Sequence, residues 1–406
     1  MVLTNRQKKA LHGSILQYLL AEGFESAAAE FGRCAGVTAE ESEKEAGMLE
    51  KKWTSVLRLQ KKVMDLEQTV LQLQEDLKGA GSGGKRKAGS NANAVPRPPQ
   101  KHTLKGHRAA VTGVAVHPTY TQVASCSEDA TVKLWDYESG EFERTLKGHT
   151  DVVQCVAFHP QGSLLASCSA DLTVKLWETE GYNCIKTLKG HEHNVSCVRF
   201  LPPSSGKDQL VSSSRDKSIK VWDTNTGYCV RTLSGHDAWV RRVIAHEDGE
   251  LLASCSNDKT IRLWRLDSGT QQAVLRGHAH VVEDIAFSTR PPADEKRRAV
   301  VAKPLLVSAS RDKTVMVWDV STEQLIHTFT EHENWVRGVV FHPTGRYVIS
   351  VSDDKCLMVF DLEQNRLVKK ISPAHDHFIS NVVINPRDLV VVTASVDQTL
   401  RVWESS

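Results

Sequence analysis

Serine, histidine and aspartate, the residue types of a hydrolase triad, recur together at fixed spacing along most of this 406-residue chain. The histidines, five of which follow a glycine, are His107, His149, His191, His236, His278, His332 and His375. The aspartates are Asp129, Asp171, Asp216, Asp258, Asp312, Asp354 and Asp397. A serine precedes each aspartate by two positions, at Ser127, Ser169, Ser214, Ser256, Ser310, Ser352 and Ser395. Acyl-transfer chemistry needs one nucleophile, one base and one oxyanion site in a single cleft, so equivalent copies predict a structural role instead.

An aromatic residue closes each copy, six positions after its aspartate. These residues are Trp135, Trp177, Trp222, Trp264, Trp318, Phe360 and Trp403. The period of about 42 residues and the Gly-His…Trp-Asp pattern resemble WD40 repeats, in which each repeat forms a four-stranded blade of a β-propeller. We therefore expect an all-β, seven-bladed WD40 propeller over residues 101–406. The indole N–H, the serine hydroxyl, the imidazole and the carboxylate are expected to satisfy one another in each blade, incompletely in blade six because Phe360 has no N–H.

The repeat region also predicts how the ring closes and where it is interrupted. The chain stops three residues after Trp403, which leaves no room for a fourth strand in the last blade. Residues 101–105 stand before the first Gly-His pair in the same way as residues 144–147 stand before the second pair. The segment 101–105 is therefore expected to supply the missing fourth, outer strand of the last blade. An insertion from about Ser288 to Pro304 separates the first two strands of blade five, and its proline and charge predict an exposed loop opposite the Gly-His loops.

The N-terminal residues 7–39 predict an α-helical hairpin. Its apolar stripe consists of Leu11, Ile15, Tyr18 and Leu19, which recur at helical spacing. A hairpin of this size cannot bury its own apolar face, so we expect it to pair with a second chain. The alternative is that the helix packs on the rest of its own chain.

Residues 49–77 carry a heptad repeat that predicts a coiled coil. The seam residues expected to support dimerisation are Val56, Leu59, Val63, Leu66, Val70 and Leu73. β-Branched residues at one core position with leucine at the other favour a parallel two-stranded coil. A second row of apolar residues beside this seam leaves other packings of the coil open. The alternative is a single helix that docks on the main domain. Residues 78–100, rich in glycine and serine and then in proline, predict a flexible linker. Its Lys-Arg-Lys cluster is better explained as solvated charge than by the alternatives, a nuclear signal or a contact with a polyanion.

Composition excludes several classes of function. The net charge is +2, so no global basic field points to nucleic acid or to an anionic membrane. The nine cysteines include no Cys-x-x-Cys pair, a pattern that fits buried reduced thiols inside a cell. No apolar run approaches the roughly 18 residues of a membrane span, and the N-terminal residues lack the long apolar core of a signal peptide, so we expect a soluble cytoplasmic protein. Phosphate-loop and zinc motifs are also missing, which predicts no cofactor and no metal.

Positions that differ between repeats are the candidates for binding. Three residues after the network histidines stand Ala110, Val152, Asn194, Trp239, Val281, Trp335 and Phe378. Two residues further along stand Thr112, Gln154, Ser196, Arg241, Glu283, Arg337 and Ser380. Between the repeated serine and aspartate stand Glu128, Ala170, Arg215, Asn257, Arg311, Asp353 and Val396. All belong to loops expected on one face.

Blades three to six concentrate tryptophan and arginine on that face. The residues are Arg215, Trp239, Arg241, Arg311, Trp335 and Arg337, with Lys355 just after the network aspartate of blade six. Tryptophan and arginine are enriched at interface hot spots, which favours a binding site over the alternative of solvated rim charges. An acidic protein surface suits this site better than nucleic acid, because no wider basic stripe accompanies it.

The order of hairpin, coiled coil, proline-containing linker and seven WD40 repeats resembles the lissencephaly-protein (nuclear distribution) family of dynein regulators. Residues 49–67 are similar to the coiled coil of this family, residues 127–151 and 334–342 are similar to its propeller, and the hairpin resembles its LisH dimerisation motif. The resemblance covers essentially the whole chain. The family's contact positions for the dynein motor domain match Lys147, Arg215, Arg241, Arg311, Trp335 and Lys355.

The resemblance implies a non-catalytic, homodimeric regulator that binds the heavy chain of cytoplasmic dynein. It also implies NudE-type coiled-coil partners and the microtubule plus-end machinery. Cytoskeletal locations would then be plus ends, the centrosome or spindle pole, and the spindle, with roles in minus-end-directed transport, nuclear migration and mitosis. Two alternatives stay open. One is a generic WD40 scaffold, and the other is the non-catalytic subunit of a platelet-activating-factor acetylhydrolase complex.

Overall fold

The computed structural model describes residues 12, 15, 16, 19, 20, 24–35, 94–288 and 304–405. The chain divides into two compact units, Met1–Gly89 and Ser90–Ser406. The predicted coiled coil over 49–77 and most of the predicted linker lie outside the described residues. The same holds for eight of the predicted dimerisation residues, namely Leu11, Tyr18, Val56, Leu59, Val63, Leu66, Val70 and Leu73.

The first unit contains a helix, α1 (Glu25–Ala35), preceded by helical residues that include Ile15 and Leu19. Leu16 and Ala28 are buried against each other, and Phe31 packs on them. Phe24 stays 57% exposed at the start of α1. The described helices thus bury a small apolar patch and leave a large aromatic ring uncovered, whereas pairing with a second chain stays a prediction.

The second unit is a ring of seven antiparallel sheets of four strands each. Blade one comprises β2 (Val111–Val116), β3 (Gln122–Ser127), β4 (Thr131–Asp136) and β5 (Phe142–Lys147). Blade two comprises β6 (Val153–Phe158), β7 (Leu164–Ser169), β8 (Thr173–Glu178) and β9 (Cys184–Lys189). Blade three comprises β10 (Val195–Phe200), a 3₁₀ turn (Pro203–Ser205), β11 (Gln209–Ser214), β12 (Ser218–Asp223) and β13 (Cys229–Ser234). Blade four comprises β14 (Val240–Ala245), β15 (Leu251–Ser256), β16 (Ile261–Arg265) and β17 (Gln271–Leu275).

The remaining blades follow the same order, which confirms the predicted seven-bladed all-β propeller. Blade five comprises β18 (Val282–Phe287), β19 (Leu305–Ser310), β20 (Val315–Asp319) and β21 (Gln324–Phe329). Blade six comprises β22 (Val336–Phe341), β23 (Tyr347–Ser352), β24 (Leu357–Asp361) and β25 (Arg366–Ile371). Blade seven comprises β26 (Ile379–Ile384), β27 (Val391–Ser395), β28 (Thr399–Trp403) and β1 (His102–Lys105).

The hydrophobic core lies between neighbouring blades. Second strands such as β7, with the sequence LLASCS, are almost entirely buried because both of their faces pack against other sheets. Outer strands such as β9 are mostly exposed. The cluster between blades two and three joins Val174 and Leu188 of one sheet to Val198 and Trp222 of the next. Each sheet therefore depends on its neighbours, as expected of a repeat architecture.

The N-terminal strand β1 closes the ring, as the sequence predicts. It pairs antiparallel with β28, in a register that sets His102 opposite Val402 and Lys105 opposite Thr399. Leu104 is buried at this seam. The pairing extends further than predicted, because Pro96 forms a bridge with Ser405. Residues at both ends of the repeat region thus hold one blade together.

The network histidines and the turns between second and third strands lie at the same end of every sheet, which we call the histidine face. Strands alternate in direction within each sheet, so turns between first and second strands lie on the opposite face. The insertion of blade five joins β18 to β19 and therefore leaves from that opposite face, as predicted. Ser288 and Leu305 pair at its base, and residues 289–303 lie outside the described residues.

Candidate protein-interaction face

A hydrogen-bond network spans each blade, but its hydroxyl group is not the predicted one. In blade one the Trp135 indole donates to Ser125 Oγ over 2.8 Å, and Ser125 Oγ lies 2.8 Å from His107 Nε2. His107 Nδ1 lies 2.9 Å from a carboxylate oxygen of Asp129. The equivalent hydroxyls stand four residues before each aspartate, at Ser125, Ser167, Ser212, Ser254, Ser308, Ser350 and Thr393.

The prediction that the serine two residues before each aspartate joins this network is wrong. Ser127 Oγ instead accepts the backbone N–H of Asp129 over 3.1 Å and donates to the carbonyl of Ala109. Serines i and i+2 of a strand share one face, so spacing alone does not distinguish them. Ser125, the serine that joins the network, is fully buried. A substrate therefore has no access to it, which supports a structural role for the repeated triad.

Phe360 leaves the network of blade six without an indole, as predicted. His332 still contacts Ser350 over 2.6 Å and Asp354 over 2.7 Å. Phe329 of β21 stacks on Phe360 with ring centroids 4.4 Å apart. Blade six thus replaces one polar contact by an aromatic pair.

Burial and hydrogen bonding set the charge state of the network. Burial lowers the pKa of His107, His149 and His375, although the adjacent aspartates oppose this shift. Burial also opposes ionisation of Asp129, but hydrogen bonds from Thr131, from the Arg108 amide and from His107 outweigh it and bring its pKa to about 2. In blades one, two and seven the network therefore pairs a neutral imidazole with an ionised carboxylate at neutral pH.

The first strand of every blade, which we call the inner strand, begins with a β-bulge. These bulges determine the direction of the variable side chains. Pairing shifts by one residue between Val240 and Arg242, between Val282 and Asp284, and at the same point in the other five inner strands. The extra residue of a bulge points away from the regular pleat. In blades one, three and seven it donates a hydroxyl to a carbonyl of the next blade, from Thr112, Ser196 and Ser380.

In blades four, five and six the bulged residue is charged and pairs within its own blade. Arg241 Nε donates to Asn257 over 2.7 Å. Arg311 Nε donates to Glu283. Arg337 makes two bonds of 2.9 Å to the carboxylate of Asp353. The bulged position and the position between the repeated serine and aspartate, which were predicted to share a face, are therefore direct partners. In blade five the acidic residue is at the bulge and the arginine is at the other position, the reverse of blade six.

Each tryptophan of the face lies between two arginines. The Arg215 guanidinium lies 3.5 Å from the centroid of the Trp239 ring, and that of Arg241 lies 5.3 Å away. Cation–π attraction of this kind contributes about 0.5–2 kcal/mol for each contact. The arginines come from two successive blades, so each indole joins one blade to the next.

Blade six repeats this arrangement around Trp335. Arg311 lies 4.4 Å and Arg337 lies 5.0 Å from the centroid of that ring. The His280 imidazole stacks on Trp335 at 6.4 Å between centroids. Both tryptophans are half-buried, so part of each indole stays open to a partner.

Glu283 connects the two tryptophan sites, a role that the sequence does not predict. Its side chain is 9% exposed and contacts three arginines. Arg241 Nε lies 3.9 Å and Arg337 Nη1 lies 3.5 Å from its carboxylate oxygens, and Arg311 is hydrogen-bonded to it. Burial opposes ionisation of Glu283, but the three positive charges outweigh burial and lower its pKa. Glu283, Arg241 and Arg337 line a cavity of about 250 Å³ on this face.

Lysines at the turn after the network aspartate surround this cluster. Lys355 is exposed, with φ of +65°. The same turn position holds Lys217, Lys259 and Lys313 in blades three to five, with φ between +68° and +72°. Sequence reasoning selected Lys355 alone, although an Asp-Lys dipeptide recurs in four consecutive blades. A left-handed residue other than glycine costs roughly 1 kcal/mol, so a glycine at these turns would be less strained.

Lys147 lies apart from the tryptophan sites. It ends the outer strand of blade one, where it is exposed. Burial, together with the nearby charges of Arg108 and Lys147, lowers the pKa of Lys133. Lys147 therefore belongs to a basic group of blade one, whereas the other predicted residues cluster on blades three to six.

The seven sheets, their closure by β1 and the repeated Trp-Ser-His-Asp network define a WD-repeat β-propeller protein. Family models agree: the description "WDR3 first beta-propeller domain" matches residues 95–266, and "WD domain, G-beta repeat" matches residues 269–319, 323–361 and 366–404. The chain is 52% identical to the Lissencephaly-1 homolog of Dictyostelium discoideum, and the alignment covers 100% of both chains. It is 44% identical to the nuclear distribution protein PAC1 of Coccidioides posadasii, over 96% of this chain and 88% of that protein. The nuclear distribution protein nudF of Emericella nidulans is 43% identical over 93% of this chain and 89% of its own length.

The chain belongs to the lissencephaly-1 and nuclear distribution protein family, as the resemblance predicts. Within the described residues, no helix is long and apolar enough to cross a membrane. The described part of the chain also contains no cluster of histidine, cysteine and acidic residues suited to a metal ion.

Proposed function

We propose that this chain is a dimeric, non-catalytic regulator that binds the motor domain of cytoplasmic dynein through the tryptophan sites of its histidine face. The main support is the paired arginine–tryptophan arrangement, which Glu283 holds in place before any partner arrives. Anchors that are already ordered lose less conformational entropy on binding. Membership of the nuclear distribution family supports dynein as the partner.

The proposal includes two propellers held by residues 1–77. Two linked weak sites bind one target far more tightly than either alone, provided the linker spans them. Binding regulates the motor if the face prefers one conformation of the ATPase ring or stalk, because a ligand shifts an equilibrium by its differential affinity. NudE-type proteins and the plus-end machinery would then determine where on the cytoskeleton this happens, in transport, nuclear migration and mitosis.

Binding kinetics of purified dynein motor domain test the site. We expect the triple variant of Arg215→Ala, Arg241→Ala and Trp335→Ala to lose binding, mainly through faster dissociation. The matched control changes Glu128→Ala and Phe378→Ala, which occupy the same repeat positions in blades one and seven. Equal recovery of motor domain by the wild type and the triple variant would defeat the assignment.

Three further measurements separate the parts of the proposal. Changing Lys217, Lys259, Lys313 and Lys355 together to glutamine should slow association and weaken its salt dependence, because rim charges act mainly on the on-rate.

Deletion of residues 1–77 should give a monomer by mass photometry, and a dimer would contradict the coiled-coil prediction. Hydrolysis of an acetyl ester by the pure chain would contradict the non-catalytic role.

A further inference from the structure

A second charged cluster surrounds the Cys155 thiol and, through Arg242, borders the cavity that Arg241, Glu283 and Arg337 also line. Cys155 Sγ accepts hydrogen bonds from Arg199 of β10 over 3.2 Å and from Arg242 of β14 over 3.3 Å. Arg242 Nε in turn lies 3.4 Å from Asp284 of β18. Cys155, Arg242 and Asp284 are buried, and Arg199 is partly buried. Three inner strands thus bring two permanent cations to one sulfur atom.

The charges of this cluster balance if the sulfur is ionised. Two guanidinium groups, which stay protonated in proteins, are paired here with a single carboxylate, that of Asp284. Glu283, the neighbouring carboxylate, contacts three other arginines. A buried charge without a partner is costly, so a thiolate at Cys155 offsets the second cation.

The shortest contacts of the sulfur are with nitrogen donors. Cys155 Sγ lies 3.2 and 3.3 Å from the guanidinium nitrogens, and 3.6 and 3.8 Å from the carbonyl oxygens of Val156 and Val198, the acceptors that a neutral thiol would use. Both carbonyls also accept hydrogen bonds of 3.2 Å from Arg199 Nη1. Hydrogen bonds from the Cys168 and Cys197 thiols, and then the two arginines, hold the pKa of Cys155 well below its usual range despite its burial.

The neighbouring thiols stay protonated and one of them is placed for a disulfide. Burial and the charge of Cys155 raise the pKa of Cys168, and Cys155 with burial does the same for Cys197. Burial also raises the pKa of Cys126 and of Cys255 nearby. Cys168 stands directly opposite Cys155 in the pairing of β6 with β7. Opposed antiparallel residues have Cα atoms about 4.5–5.5 Å apart, within the range that a disulfide spans.

We propose that Cys155 is a thiolate held by Arg199 and Arg242, which reacts with hydroperoxides and then closes a disulfide with Cys168. The Cys155 sulfur attacks one oxygen of hydrogen peroxide, the O–O bond breaks, and the departing hydroxide takes up a proton to become water. The Cys168 sulfur then attacks the resulting sulfenic acid. Its S–O bond breaks, and the hydroxyl leaves with the thiol proton as a second water. One thiolate, one thiol, one peroxide and one proton from solvent thus give one disulfide and two waters.

The cavity on the histidine face provides the route for a small oxidant. Arg242 lines this cavity and also contacts Cys155. We expect movement of that single side chain to admit a molecule the size of hydrogen peroxide and to exclude a bulky maleimide. The thiols of Cys184 and Cys229 are exposed and should therefore react readily with the maleimide.

Ultraviolet absorbance of the thiolate in the full-length protein tests the ionisation. The difference between wild type and Cys155→Ser should correspond to one thiolate, and it should persist down to pH 6, where a thiol with a pKa of about 8.5 has lost more than 99% of its thiolate. Arg242→Met should shift this titration toward higher pH. Cys184→Ser is the control and should leave it unchanged. A wild type with no thiolate difference at pH 7 would overturn the proposal.

Peptide mapping after peroxide treatment tests the chemistry. The expected product links Cys155 to Cys168, and Cys168→Ser should stop at a sulfenic acid that a carbon nucleophile traps. This variant retains Cys155, so it tests the reactive thiol even if Cys155→Ser does not fold. A link to Cys197 would refute the choice of Cys168, and an unmodified Cys155 in a folded protein would refute the reactive thiolate itself.

Discussion

The hydroxyl at the centre of each network can be tested by comparing two blades of the same protein. Ser212 of blade three accepts the Trp222 indole N–H over 2.8 Å and contacts His191 over 2.7 Å. Ser350 of blade six contacts His332 over 2.6 Å and has no indole partner, because Phe360 takes the place of tryptophan. Ser212→Ala therefore leaves two buried polar groups without a partner, whereas Ser350→Ala leaves one.

The difference follows from the cost of one unsatisfied group. A buried donor or acceptor that loses its partner costs roughly 1–3 kcal/mol. Ser212→Ala should thus lower the free energy of unfolding by about 1–3 kcal/mol more than Ser350→Ala. A propeller of about 310 residues has an unfolding entropy near 0.65 kcal/mol/K, so 2 kcal/mol corresponds to about 3 °C in Tm.

Thermal and urea unfolding of the full chain measure this difference. Ser214→Ala and Ser352→Ala are matched controls in the same two blades. These serines accept the aspartate N–H and donate to a carbonyl in both blades, so their losses should be equal. Equal losses for Ser212→Ala and Ser350→Ala would refute the assignment of the indole hydrogen bond.

Three other perturbations probe charge and closure. Network groups such as His107 and Asp129 have lower pKa values in the folded than in the unfolded chain, so the unfolded state binds more protons on acidification. Urea midpoints should therefore be highest above about pH 6.5, fall below it as the histidines protonate only in the unfolded chain, and fall again below about pH 4 through the aspartates. Glu283→Gln removes a carboxylate that contacts three arginines, of which Arg337 keeps that of Asp353, and should cost about 3 kcal/mol in unfolding experiments, whereas Glu128→Gln on the exposed side of blade one should cost almost nothing. Deletion of residues 94–105 removes β1, and limited proteolysis should then cut blade seven first; unchanged protection there would contradict closure by β1.

The sequence periodicity predicts most of this fold because every blade repeats the same four strands and the same hydrogen-bond network. The number of blades, the closing strand and the exit of the blade-five insertion all follow from comparing one repeat with the next. The choice between Ser125 and Ser127 does not, because both recur at fixed spacing and share a face of β3. Thr393 was the available signal: a hydroxyl four residues before the aspartate occurs in all seven blades even where serine does not.

The candidate interaction face was only partly predictable, for a related reason. Arg241 and Trp335 stand out because only one other blade carries the same residue at their positions, namely Arg337 and Trp239. Glu283 differs as well, but its role depends on the bulge that turns it toward arginines of two neighbouring blades. Sequence spacing gives the position of a residue along its own blade. It does not give the partner that a bulge selects in the next blade.

Glu283 also explains how so many cations coexist on one face. Four arginines next to two indoles would repel one another without a counter-charge, and a counter-charge in front of the rings would block them. Glu283 is 9% exposed and contacts three of the four arginines, and Asp353 pairs with Arg337, so two carboxylates offset part of this charge while the half-buried indoles keep an open surface. Under the proposed function, the arginines would mainly hold the tryptophans in place as anchors. The exposed lysines of the turns after the network aspartates would attract an acidic partner from a distance, so that anchoring and steering are carried by different residues.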